Sequence, residues 1–120
     1  MQIRFAKNLK LKVMREHLSH FNIAGFTYYD GVLAFKDLEI GLLLKLKQEE
    51  DNKYDPRAIA IYHNEFKLGF VPRNENRIIY KLLKIGLNCL EVRVQSISKK
   101  EHPENQVSVV VHLVKQETQN

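Results

Sequence analysis

The chain has 120 residues, enough for one domain whose core needs no disulfide or metal staple. Hydrophobic residues make up 44% and charged residues 28%, and only eight residues are proline or glycine, which excludes a disordered or fibrous chain. The net charge of +5 favours an anionic partner without naming one, and residues 1–20, with five cations against Glu16, carry +4 of it.

The basic residues 1–20 read as an extension or an edge strand. Residues 21–29 are rich in aromatics around Gly25 and predict a strand with a bend or bulge. Asp30-Gly31 signals a turn, and Val32 to Leu38 a helical turn or loop. Leu42 to Lys47 ends in the alternation of a half-buried strand, and the polar run Gln48 to Arg57, with Asp55-Pro56, is a loop. Ala58 to Tyr62 and Phe66 to Val71 form a hairpin around His63-Asn64-Glu65, closed by Pro72. Asn74 is a good N-cap, Ile78, Ile79, Leu82 and Leu83 fall at helical spacing, and Gly86 suits the end, so a helix is predicted over 74–85. Leu90 to Ser98 alternates cleanly and Val107 to Val114 in part, giving two antiparallel strands joined by a polar loop, and 116–120 is a polar tail. The expected organisation is a basic extension over 1–20, a domain over 21–115 and the tail. The expected fold is mainly β with one or two helices (α+β), a small, partly closed antiparallel barrel of about six strands, OB- or SH3-like.

No apolar run approaches the roughly 20 residues that span a bilayer, and the N-terminus lacks the apolar core of a signal peptide. With a single cysteine, Cys89, the chain has no internal disulfide, and a cytoplasmic protein is expected. Neither GxxxxGK[ST] nor GxGxxG, GxSxG or HExxH occurs, so no phosphate cradle, nucleophile elbow or zinc helix is signalled. Cys89 reads as a small buried hydrophobe. His17 and His20 lie three apart with no third ligand near, so no metal is expected, nor any cofactor or catalytic residue.

Three segments carry a stronger signal: Ala24-Gly25-Phe26-Thr27-Tyr28-Tyr29-Asp30-Gly31, Glu50-Asp51-Asn52-Lys53-Tyr54-Asp55-Pro56-Arg57-Ala58-Ile59, and Leu68-Gly69-Phe70-Val71-Pro72-Arg73-Asn74. Together they resemble the HIRAN family, small modules found in helicase-like remodelling and repair proteins and as free-standing bacterial proteins. The resemblance runs from about Ile23 to Gly86. It implies an OB- or SH3-like barrel that binds nucleic acid and, in well-understood members, holds the 3′-hydroxyl end of single-stranded DNA. By matching motif, Tyr28 and Tyr29 would stack on terminal bases. Asn52, Tyr54 and Asp55 would surround the terminal sugar, with Asp55 accepting from the hydroxyl, and Arg73 would face a phosphate. Phe70, Lys53 and Thr27 depart from the eukaryotic pattern.

The chemistry of these residue types agrees. An aromatic face takes any base, worth roughly 1–3 kcal/mol each. A carboxylate suits a free hydroxyl and repels a phosphate, so an acid in an anion-seeking site selects an end. Arginine offers a fork of donors to phosphate oxygens. The sequence reading is therefore a non-enzymatic module for single-stranded DNA, with RNA left open, serving repair or replication-fork processing beside a helicase or nuclease partner. An SH3-like protein-interaction module and an accessory domain of a nucleic-acid hydrolase are the alternatives.

Overall fold

The computed structural model describes residues 10–101 and 105–119. Among these residues, six strands form one antiparallel sheet: β1 (Lys10–Asn22), β2 (Leu43–Gln48), β3 (Ile59–His63), β4 (Phe66–Phe70), β5 (Leu90–Ile97) and β6 (Val107–Gln119). Their order is β1-β6-β5-β2-β3-β4. Two helices accompany them, the single-turn α1 (Gly31–Ala34) and α2 (Asn76–Lys84), with 3-10 turns at Phe26–Tyr28 and Phe35–Asp37.

Strand alternation places the core. On β6, Val107, Val109 and Val111 face inward and are buried, as are Val92 and Val94 on β5. Ile59 and Ile61 of β3 and Leu68 of β4 meet them, with Phe26 and Ile79 closing the ends. The β3–β4 hairpin turns on Asn64, whose φ of 52° is the left-handed conformation that asparagine tolerates.

The two outer strands of the sheet approach each other just after β1. Ala24 donates to the Phe70 carbonyl at 2.8 Å, and Phe70 donates back to Ala24 at 2.9 Å. Gly69 makes this approach workable. Its φ is +145°, and a Cβ there would sit 2.3 Å from the Ala24 carbonyl oxygen. The result is the partly closed barrel expected from the sequence, open along most of β1.

Four local expectations change. The aromatic run 21–29 is not one strand: Phe21 and Asn22 end β1, and Phe26–Tyr28 coil into a 3-10 turn after the left-handed Gly25. The expected boundaries at 20 and 115 fall inside strands, because Lys10↔Gln119 through Asn22↔Ser108 pair β1 with β6. The helix is shorter than 74–85, and its N-cap is Glu75, not Asn74. Glu75 makes no side-chain cap; its carboxylate instead accepts from Ser19 Oγ at 2.6 Å, tying α2 to β1. Cys89 is only half-buried.

A bulge between His17 and Ser19 brings His17 and His20 to one side of β1, where their ring nitrogens lie 2.9 Å apart. Among the described residues, no three His, Cys, Asp or Glu side chains converge as metal ligands. No described helix is long and apolar enough to cross a membrane.

Candidate nucleic-acid interface

The loop from β2 to β3 is built around Asn52. Its Oδ1 accepts from the backbone N–H of Tyr54 at 2.9 Å and of Asp55 at 3.0 Å. Its Nδ2 donates to Glu49 Oε1 at 3.2 Å. An asparagine that bonds the backbone two and three residues on forms a tight turn, which the polar run predicted. The Asn52 side chain thereby shapes the loop. That turn throws the Tyr54 ring outward, 84% exposed, and turns Asp55 inward.

Asp55 is gripped from two sides. Oδ1 accepts from the Arg57 N–H at 2.9 Å, and Oδ2 accepts from Nδ2 of Asn76 at 2.9 Å. Arg73 approaches from the solvent side, its Nε 3.8 Å from Oδ2, and an Nη donates to the Tyr54 carbonyl at 2.5 Å. The Arg73 side chain is otherwise well exposed, so most of its donors face water.

Across from this loop stands an aromatic corner. The Tyr29 ring meets Phe70 edge to face, with centroids 5.5 Å apart. Lys67 reaches over both rings, its Nζ 4.7 Å from the centre of Tyr29 and 4.4 Å from that of Phe70. The same ammonium bonds Glu49 Oε2 at 2.6 Å, linking the corner to the Asn52 loop. Burial pushes the Glu49 carboxyl up, but bonds from Lys67 and Asn52 and the charges of Lys67 and Lys47 outweigh it, so it sits below its ordinary value. Gly25 fits beneath the tyrosine pair, since a Cβ there would lie 3.3 Å from Tyr29 and 3.8 Å from Tyr28.

These pieces enclose a cleft of about 250 Å³. Five of the six residues singled out from the sequence line it: Tyr29, Asn52, Tyr54, Asp55 and Arg73. Tyr28 does not; it stands at the edge beside Tyr29, 75% exposed. The two tyrosines do not alternate across a strand, as the sequence implied, because a 3-10 turn carries them and Tyr29 is its C-cap. Three further residues, Lys67, Phe70 and Asn76, belong to the site without a role assigned from the sequence. Lys67 and Phe70 lie on β4 one residue before and two after buried Leu68, so alternation alone would put them on opposite faces; the bulge opposite Ile61 and Tyr62 brings them to one side, where the Lys67 ammonium reaches the Phe70 ring. Asn76 lies in the first turn of α2, inside the helix that the sequence predicts, with no motif to mark it. A larger depression of about 620 Å³ beside β2 and α2 is lined by Glu50 and Asp51 and holds no aromatic ring.

The cleft thus combines exposed rings, a carboxylate held flat by the protein, and a solvent-facing guanidinium. The model of the HIRAN domain family matches residues 17–114. A crystal structure of a protein from Lactobacillus plantarum superposes with a TM-score of 0.72 at 22% identity, covering 87% of this chain and 99% of that one. The HIRAN domain of human HLTF superposes with a TM-score of 0.58 at 19% identity, covering 92% of this chain and 80% of that one, which shows the shared OB-like fold. No curated protein sequence matches. With the family pattern spanning most of the chain, on this fold, the chain belongs to the HIRAN domain family, whose members are nucleic-acid-binding modules.

Proposed function

We propose that the cleft holds the 3′-hydroxyl end of single-stranded DNA and that the domain is a binding module rather than an enzyme. One observation carries the reading: the half-buried Asp55 carboxylate shares a small cleft with the Tyr29 and Tyr54 rings and the Arg73 guanidinium. Each carboxylate oxygen has one protein donor, which leaves each a second lone pair for a ligand. A free hydroxyl uses that lone pair. A phosphate at the same place meets a fixed negative charge.

The rings supply affinity without sequence preference. Tyr29 is braced by Phe70 and Lys67, so it offers a fixed face, while exposed Tyr28 and Tyr54 flank it. Arg73 keeps donors for the phosphate that precedes the terminal sugar. Asn52 acts by holding the loop, not by touching the ligand. Such a module serves DNA repair or replication-fork processing, where free 3′ ends arise, with a helicase or nuclease as its working partner.

The test compares binding of one single-stranded oligonucleotide ending in a 3′-hydroxyl or a 3′-phosphate, read by fluorescence anisotropy. The hydroxyl end binds at least tenfold tighter, as loss of one hydrogen bond to a charged group plus a repulsion predicts. Equal affinity for both ends refutes end recognition, and failure to bind either refutes the assignment of the cleft.

A further inference from the structure

Asn76 is the one buried polar side chain among the described residues, 1% exposed. It sits on the inward stripe of α2, spaced with Ile79 and Leu83, where an amphipathic helix calls for an apolar residue. Its amide nitrogen donates twice, to Asp55 Oδ2 at 2.9 Å and to the Arg57 carbonyl at 3.1 Å. Its own oxygen is buried and has no partner. Such an orphaned acceptor costs stability that a leucine at this position would not. Its two donated bonds are the compensation, and both end on the segment Asp55-Pro56-Arg57 that forms one wall of the cleft.

We propose that Asn76 is a positioning residue that gives the cleft its preference for a free 3′-hydroxyl. The inference rests on the reading of Asp55 as the hydroxyl acceptor. Asp55 has a nearby competitor for its charge: Arg73 Nε lies 3.8 Å from Oδ2, too far for a hydrogen bond and close enough to capture the carboxylate if it swings. Asn76 holds Oδ2 from the buried side and the Arg57 N–H holds Oδ1, so the carboxylate plane stays fixed. Without the amide, Asp55 rotates onto the arginine fork and the pair satisfies itself. The acceptor for the hydroxyl and the donor for the phosphate are then lost together.

The experiment measures affinity for two oligothymidines, one ending in a 3′-hydroxyl and one in a 2′,3′-dideoxynucleotide, at pH 8 and pH 5. The two ends differ by one uncharged group, and neither titrates in this range. The wild-type domain favours the hydroxyl by about tenfold at both pH values. In Asn76→Leu the preference falls below twofold, and affinity for the dideoxy end falls as well, because the arginine is drawn off the phosphate. In Asn76→Asp two carboxyl groups meet, and such a pair takes up a proton at raised pH. The preference is therefore absent at pH 8 and returns at pH 5, when the new carboxyl again donates to Asp55. A purely structural role for Asn76 produces no such pH profile. If the wild type favours the hydroxyl and both variants keep the full preference at both pH values, the Asn76 inference alone is overturned. If the wild type binds both ends equally, the reading of Asp55 falls and this inference falls with it. Should Asn76→Leu fail to fold, the pH profile of Asn76→Asp decides.

Discussion

Gly69→Ala tests how the barrel is closed and how the cleft gets its floor. The added methyl would stand 2.3 Å from the Ala24 carbonyl oxygen and 2.7 Å from Ile23 Cγ2. The first neighbour is backbone, so no side chain can swing aside to relieve it. β4 must move off Ala24, which breaks the 2.8 Å and 2.9 Å bonds exchanged by Ala24 and Phe70. Each such bond contributes about 1 kcal/mol net. A non-glycine residue held at φ +145° adds about 1–3 kcal/mol of strain. The sum is about 3–5 kcal/mol, a large share of the 5–15 kcal/mol typical of a domain. Urea unfolding followed by far-ultraviolet circular dichroism reads it directly. With a slope near 1.5 kcal/mol/M, typical at this size, the midpoint falls by about 2–3 M. Gly86→Ala is the control. Its φ is +79°, but nothing lies within 4 Å of the added methyl, so only about 1 kcal/mol of strain applies. Equal midpoints for the two variants would refute the close approach of β4 to Ala24. Because Ala24 and Phe70 both line the cleft, oligonucleotide affinity falls with stability in Gly69→Ala and not in Gly86→Ala.

Two further outcomes follow from the ion pairs. Lys67→Met keeps the apolar stem but removes the ammonium that joins Glu49 to the Tyr29 and Phe70 rings. It lowers stability by about 1–2 kcal/mol through the unpaired, half-buried Glu49 and weakens binding of both end types alike; unchanged binding would show that the corner needs no brace. Glu91 is held at about 2 instead of 4.5, first by its bond from Arg15 and then, against some burial, by Arg93. A carboxyl depressed in the folded state adds stability above its unfolded value and loses it as pH falls through the folded one. The urea midpoint of the wild type therefore drops between pH 4.5 and pH 2 more steeply than that of Glu91→Gln, and parallel slopes would remove Glu91 as a cause.

Much of this fold is legible in single residues. Alternation around Val92 and Val94, and in part over Val107 to Val114, announces a one-sided sheet, and the structure buries Val92, Val94, Val107, Val109 and Val111. Pro72 and Gly86 bracket the helix because one ends a strand and the other permits the turn after Ile85. The motif residues converge because the Asn52 turn is local, closed by bonds two and three residues along the chain. What was not legible is long-range. Phe21 to Tyr29 has the composition of a strand, yet it must leave β1, meet Phe70 and seat Phe26 in the core, and tertiary packing decides that path. Lys67 and Phe70 meet Tyr29 across 38 and 41 residues, and Asn76 meets Asp55 across 21, and no local pattern records such meetings. Asn76 stays hidden for a further reason: nothing within its own helix shows that it is buried or that it meets Asp55.

The N-terminal cations acquire a different meaning from the position of β1. A 13-residue strand at the edge of a sheet is a template on which another chain can add, and it is most hazardous where apolar side chains show. Val13 and Met14 show in this way. Lys12 and Arg15 flank them, and the bulge at His17 and Ser19 breaks the flat run beyond. Charged flanks and a bulge are the means by which natural sheets discourage edge-to-edge aggregation. Lys12 thus stands beside exposed Val13 and Met14 on the edge strand, where a charge discourages pairing with a second sheet.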